Sequence, residues 1–203
     1  YGLPPFSPER LVLEATNCCN RSCHFCGAAQ EGSTLARGFM DWDLFRRLAG
    51  EAAVLRPGMV SLHAHGEPLL HPRIVDMVNE LHGHGLATEI VTNGDLLTEE
   101  LSRRLRAAGL TRLVVSHPAI TAENWRDCRG EEYVEAIDAN LEKAVAVWRD
   151  SGREVVLRCL FFAANVPGKA RDLRRYLRRW LEQSAVSAVE FWLYHPCPGH
   201  VIE

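Results

Sequence analysis

The sequence predicts an α/β fold made of six parallel β/α units. Three observations predict it. Short runs rich in Val, Leu and Ile alternate with amphipathic helical stretches from one end of the chain to the other. No low-complexity linker interrupts the series, and the order never reverses. The spacing of about 30 residues per unit suits parallel strands joined by crossover helices. Periodicity leaves two arrangements open, a sheet wrapping toward a barrel or an open doubly wound sheet. In both, loops leaving the C-terminal ends of the strands build the site.

Each element has its own warrant. Leu11 to Ala15 reads as the first strand. The helix after it starts near Asp41, with Leu44, Phe45, Leu48 and Leu55 as the inward stripe. Met59 to His63 is the second strand, and after Pro72 a helix places Ile74, Met77, Val78 and Leu81 on one face before Gly83 and Gly85 end it. Ala87 to Val91 is the third strand, which leads through Thr92-Asn93-Gly94 to a helix capped by Thr98, with Leu101, Leu105 and Ala108 inward. Leu113 to Ser116 is the fourth. A helix from about Glu131 to Asp150 carries Val134, Ile137, Leu141, Val145 and Trp148 at helical spacing. Val155 to Phe162 is strand five, Asp172 to Gln183 a helix with Leu173, Leu177, Trp180 and Leu181 inward, and Val189 to Tyr194 strand six.

Composition sets the class. With 203 residues, 47% hydrophobic and 24% charged, the chain predicts one globular domain and excludes disorder, collagen-like repeats and coiled coil. A net charge of −3, from 23 basic and 26 acidic residues, argues against a general grip on nucleic acid or an anionic membrane. The densest apolar run, around Val155 to Ala164, is broken by Arg158, so no membrane span is expected. The start, Tyr1-Gly2-Leu3-Pro4-Pro5, lacks an initiator Met and a secretory pattern, and reads as trimmed. Of the seven cysteines, Cys18, Cys19, Cys23 and Cys26 crowd into one loop, which suits metal ligation in a reducing, cytoplasmic compartment better than a disulfide framework.

That loop reads Thr16-Asn17-Cys18-Cys19-Asn20-Arg21-Ser22-Cys23-His24-Phe25-Cys26-Gly27, and Cys19, Cys23 and Cys26 have the spacing C-x3-C-x2-C. Three thiolates from one short loop can hold three irons of a cubane cluster and leave the fourth without a protein ligand. The alternative is a zinc-stabilised binding module, its site completed by a histidine such as His24 or His65. After strand two stands His65-Gly66-Glu67-Pro68, a turn whose Glu67 could accept from an ammonium group. Arg158, charged within an apolar run, needs an anion: a ligand carboxylate or an internal Asp or Glu.

The cysteine loop resembles the cluster motif of the radical S-adenosylmethionine (SAM) superfamily, whose core is a partial (β/α)6 TIM-like barrel. In that family an aromatic residue precedes the third cysteine, here Phe25, and Asn often follows the first, here Asn20. This register makes Cys19, Cys23 and Cys26 the metal ligands and Cys18 a bystander. The resemblance implies a [4Fe-4S] cluster and SAM as cofactors. Gly66, Glu67 and Pro68 match the family's G-E-P segment at the SAM amino group, and Asn93 and Ser116 match positions that reach its ribose or methionyl part. Arg158 is then a candidate for the SAM carboxylate, and His195, after strand six, for the adenine. The implied core domain covers residues 1–203, with β/α units over 11–195 and the cluster loop over 16–40.

The resemblance implies an enzyme in which the reduced cluster cleaves SAM to a 5′-deoxyadenosyl radical that abstracts hydrogen from unactivated carbon. The H-G-E-P-L-L-H-P and T-N-G-D-L-L-T-E-E segments and Cys128-Arg129-Gly130 are most similar to the branch that carries a C-terminal SPASM or twitch domain, which is expected to be missing here. His65 before Gly66-Glu67-Pro68, and Ser116-His117-Pro118, resemble the aminocyclitol alcohol dehydrogenases of that branch. The expected substrate is therefore an aminocyclitol or sugar-like natural-product intermediate, with a ribosomal peptide or protein residue as the alternative. A one-electron donor such as flavodoxin or ferredoxin is implied.

His63, His65 and His117 stand at strand ends and are the catalytic candidates at the barrel mouth. The helix with Arg171, Arg174, Arg175, Arg178 and Arg179 carries a basic face read as solvated.

Overall fold

The computed structural model describes residues 7–23, 26, 36–117, 135–161, 170–182 and 185–193. Its strands are β1 (Arg10–Val12), β2 (Met59–Ser61), β3 (Thr88–Thr92), β4 (Arg112–Ser116), β5 (Glu154–Phe161) and β6 (Ala188–Leu193). The helices between them are α1 (Trp42–Leu55), α2 (Ile74–Gly83), α3 (Glu99–Ala107), α4 (Glu135–Ala146) and α5 (Ala170–Leu177). Every strand is parallel to its neighbours, and their order in the sheet is their order in the chain. A doubly wound sheet needs a reversal of strand order, and this sheet has none. It is the six-stranded sheet of a partial barrel, with β1 and β6 as its two ends.

Alternation along the strands separates two environments. Leu11, Leu13, Val60, Leu62, Ile90, Leu113, Val115, Val155 and Leu157 belong to the main core with Phe45, Met77, Leu81, Leu105, Val145 and Trp180 of the helical layer. Each fully buried side chain of this size stabilises the fold by roughly 1.5–3 kcal/mol. The other face holds a separate apolar patch of Val91, Val114 and Val156 with Ala188, which stand in register across β3 to β6. Polar and charged residues, among them Glu89, Arg112, Arg158 and Glu190, line much of the rest of that inner face, beside the exposed apolar Val12 and Trp192.

Local signals explain the helix starts. Asp41 caps α1 by accepting from the Asp43 and Leu44 N–H groups, both at 3.0 Å, and Thr98 caps α3 by accepting from Leu101 N–H at 3.1 Å. Two inward positions differ from expectation. Leu44 is 39% exposed, because the buried stripe of α1 runs Phe45, Ala49, Ala52, a rotation of about 100° per residue away from it. Leu181 is 44% exposed, while Tyr176 and Trp180 fill the interior. A π-helical turn over Arg178–Glu182 follows α5 and shifts the face that it presents. Strand one pairs only over Arg10–Val12, although Leu13 N–H and Ala15 N–H still reach Ser61 and Leu62 carbonyls at 2.9 and 3.3 Å. Val134, Cys128 to Gly130 and His195 lie outside the described residues. Among the described residues no helix is long and apolar enough to cross a membrane.

Candidate active site

The cysteine loop leaves β1 through a pinched stem. Thr16 forms an antiparallel bridge with Phe39, and its hydroxyl donates to Gly38 O at 2.6 Å. Asn17 spans the same neck, its side chain donating to Ala36 O at 2.9 Å and accepting from Gly38 N–H at 2.7 Å. Cys18, Cys19, Cys23 and Cys26 are half-buried and form no disulfide with one another. Cys26 N–H donates to Cys23 O at 2.9 Å. Burial pushes the Cys19 thiol up, as do the charges of Glu67 and Cys26, while hydrogen bonds from Arg21 and Asn93 work in the other direction. Phe25 and His24 lie outside the described residues.

The Gly-Glu-Pro segment is fastened to this stem. Gly66 lies so close to the backbone of Thr16 and Asn17 that a Cβ there would run into the Thr16 carbonyl. Glu67 N–H donates to Cys18 O at 2.7 Å. Glu14, which the sequence reading did not single out, accepts from His65 N–H at 2.7 Å and Gly66 N–H at 3.2 Å. The Glu67 side chain is only 2% exposed, and its carboxylate accepts from Leu69 N–H at 3.0 Å, Thr92 hydroxyl at 2.7 Å and Asn93 N–H at 2.7 Å. Burial raises its pKa, and those three bonds oppose the rise. The carboxylate expected to face an ammonium group therefore ties the loop after β2 to the end of β3.

Asn93 completes the junction. Its side chain donates to Asn20 Oδ1 at 2.8 Å, and its amide nitrogen lies 4.0 Å from Cys19 Sγ. Thiols, Glu67 and Asn93 thus share one hydrogen-bonded mouth at the C-terminal ends of β1 to β3.

Deeper on the inner face, ionic groups of alternating sign line the sheet. Glu89, fully buried, pairs with Arg10 and with Arg112 at 2.9 Å, and Arg112 also pairs with Glu190. Arg158 Nε and one terminal nitrogen donate to Glu190 at 3.2 Å, and its guanidinium lies 4.1 Å from the Trp192 ring centroid. Glu190 is thus an internal carboxylate partner of Arg158. Ser116 stands beside Arg158 in register. His63 Nδ1 is 2.8 Å from Ser61 Oγ. Burial pushes His63 down to about 4, with Arg158 and Arg10 helping and Glu89 and Glu14 opposing, so the imidazole is uncharged near neutrality.

The other two histidines part company. His65 is exposed beside Glu14, 3.6 Å from Nδ1 to the carboxylate. His117 is 4% exposed, and its ring nitrogens meet Asp138 Oδ1 and the Tyr176 hydroxyl, each at 3.0 Å, with Trp180 packed against it. Cys159 extends this chain beyond Tyr176, its thiol pushed up to about 12 by burial against the opposing bond from the Tyr176 hydroxyl. Arg179, read as part of a solvated face, closes the other end on Asp138 and on Glu142 at 2.8 Å. His117 therefore packs between sheet and helices.

The donor set fits an iron–sulfur cubane. Among the described residues no three Cys, His, Asp or Glu side chains gather tightly enough for one metal ion, whereas a cubane takes each thiolate on a different iron and accepts wider spacing. The sequence profile of the radical SAM superfamily matches residues 13–168, and the chain belongs to that family of enzymes, whose cofactors are a [4Fe-4S] cluster and SAM. It is 36% identical over 116 residues to the tungsten-containing aldehyde ferredoxin oxidoreductase cofactor-modifying protein of Pyrococcus furiosus, covering 56% of this chain and 32% of that one. Several solved structures share the fold, among them two with bound SAM. Streptococcus suis SuiB bound to SAM has a TM-score of 0.74 at 17% identity, over 95% of this chain and 42% of SuiB, and SuiB is also known bound to precursor peptide SuiA. BtrN in complex with AdoMet and 2-DOIA has a TM-score of 0.54 at 24% identity, over 75% and 56%. The chain spans between a third and about half of the curated relatives it matches.

Proposed function

We propose that residues 1–203 form a core domain that holds a [4Fe-4S] cluster through Cys19, Cys23 and Cys26, and SAM against Gly66, Glu67, Pro68, Asn93, Ser116 and Arg158. The observation that carries the reading is the hydrogen-bonded junction of the thiol loop with Glu67 and Asn93 at one end of the sheet. When bound, these cofactors supply one-electron cleavage of SAM and hydrogen-atom abstraction from carbon. The protein's own part is to place and to exclude. Glu14 and Glu67 fix the Gly-Glu-Pro turn from two sides. The valine patch under the mouth is dry, so water is kept from that part of the inner face. His63, held uncharged beside Ser61, can accept a hydrogen bond from a substrate hydroxyl. Phe25 and His195 keep the places at the third cysteine and the adenine that their sequence positions suggest.

The substrate we infer is a small polar molecule of aminocyclitol or sugar-like type, because Ser61, His63, Arg158 and Glu190 offer hydrogen-bonding and charged groups on the inner face. The fold shared with BtrN, whose structure holds 2-DOIA, supports this reading. A peptide substrate is the second reading, supported by the likeness to SuiB. A flavodoxin or ferredoxin would donate the electron. The test is anaerobic reconstitution with iron and sulfide, then dithionite and SAM. Release of 5′-deoxyadenosine that is lost in Cys23→Ala and kept in Cys18→Ala supports class and register; its persistence in Cys23→Ala rejects the ligand set.

A further inference from the structure

We infer that Asp95 is a positioning residue that shapes the cysteine loop before any cluster is bound, acting through Arg21 and Asn20; this rests on reading that loop as the cluster site. The spacer between Cys19 and Cys23 is Asn20-Arg21-Ser22. Two of its three side chains end on Asp95, 74 residues or more away in the chain. Arg21 makes a two-pronged bond, Nε to Oδ2 at 2.5 Å and a terminal nitrogen to Oδ1 at 2.6 Å, and Asn20 donates to Oδ2 at 2.9 Å. A guanidinium fork on a carboxylate fixes orientation as well as charge. The side chains are only 11% and 18% exposed, so solvent and salt screen the pair much less than a surface contact.

Asp95 is itself held. Its N–H donates to Asn93 Oδ1 at 3.0 Å, and Gly94, at φ 86°, donates to the Thr92 hydroxyl at 3.1 Å. Asn93 then returns to Asn20 at 2.8 Å, closing a ring of three residues, Asn20, Asp95 and Asn93, across the two loops, with Arg21 held on Asp95. Gathering three thiols on one cluster costs chain entropy, and a spacer already fixed at two side chains has less left to lose. Asp95 lies on a different loop from the ligands, and its contacts reach them through the spacer and through Asn93, whose amide nitrogen is 4.0 Å from Cys19 Sγ.

The experiment uses the full chain with Asp95→Asn, Arg21→Gln, their double variant and Arg21→Lys, and Arg103→Gln as a surface control. Two rates are read: amide exchange over residues 16–23 in iron-free protein, and iron release to a chelator from reconstituted protein. Loss of a charge-assisted pair predicts about 10-fold faster exchange confined to 16–23, with iron release faster to match. The double variant should be no worse than the poorer single one, and Arg21→Lys, which keeps charge and loses the fork, should fall between. Wild-type rates in Asp95→Asn, or exchange that rises equally across the sheet, overturn the proposal. Should Asp95→Asn be insoluble, Arg21→Lys decides alone: faster local exchange supports the clamp and unchanged exchange removes it. If wild-type protein takes up no cluster, the cluster reading fails, while the exchange arm still decides whether Asp95 shapes the loop.

Discussion

Glu67 Oε2 accepts the backbone N–H of Asn93 at 2.7 Å, so the loop after β2 and the end of β3 are one structural unit. Replacing Glu67 leaves Asn93 N–H and the Thr92 hydroxyl without this partner in a site that admits little water. Glu67→Ala should lower stability by about 1–3 kcal/mol and weaken SAM binding while the cluster still assembles. Urea melts and equilibrium SAM binding check this; unchanged SAM affinity removes Glu67 from the site.

Gly66 touches the cluster-loop stem through backbone alone. Gly66→Ala forces the Thr16–Asn17 stem and the turn apart, at a cost of about 1–3 kcal/mol. Thermal melts should show the loss, and reconstituted protein should hold less iron than wild type. Full iron content with wild-type melting would mean that the two segments separate without consequence.

His117 is tied to Asp138 and Tyr176 inside the packed layer. His117→Ala takes one hydrogen-bond partner from Asp138 and one from Tyr176 and leaves a cavity against Trp180, and should destabilise by about 2–4 kcal/mol. A variant that melts like wild type yet loses turnover would instead return His117 to the list of reacting groups.

Two groups give stability a pH dependence. His63 has its folded pKa depressed to about 4 from an ordinary 6.5, so the folded state resists its protonation. Its contribution is fully present above 6.5 and is lost as pH falls from there through about 4. For Glu190, burial raises the pKa, but Arg158 and Arg112 outweigh it and the net shift is downward from 4.5. Its contribution is present above 4.5 and is lost at still lower pH. Urea unfolding across pH 7 to 4 should therefore show a shallower slope in His63→Phe, whereas Glu190→Gln should change only the acid limb below that range. Identical slopes in His63→Phe and wild type would contradict the assignment.

Much of the architecture was legible because it repeats. The six strands, the Thr98 cap and the Met77–Leu81 face follow from period and capping chemistry. The loop that carries Cys19, Cys23 and Cys26 stands out because one short stretch holds all three. Glu14, Asp95 and Arg21 do not, since their partners lie 51 to 74 residues away and leave no periodic trace. A weak signal existed for the inner face: Arg10, Glu89, Arg112 and Glu190 are charges at alternate positions of otherwise apolar strands. The surroundings of His117 are not legible, because a position just past a strand does not say on which side of the sheet the ring lies. Leu44 is apolar yet exposed, since Phe45, Ala49 and Ala52 mark the buried stripe of α1 and apolar character alone does not say which face is inward.

The central claim is that three thiolates hold three irons and leave one iron for SAM. Electron–nuclear double resonance on the reduced, reconstituted protein, with SAM labelled with 15N in its amino group, tests it directly. The account predicts a hyperfine coupling from that nitrogen to the cluster, retained in Cys18→Ala. A cluster that shows no such coupling, with a side chain occupying its fourth iron, would contradict it.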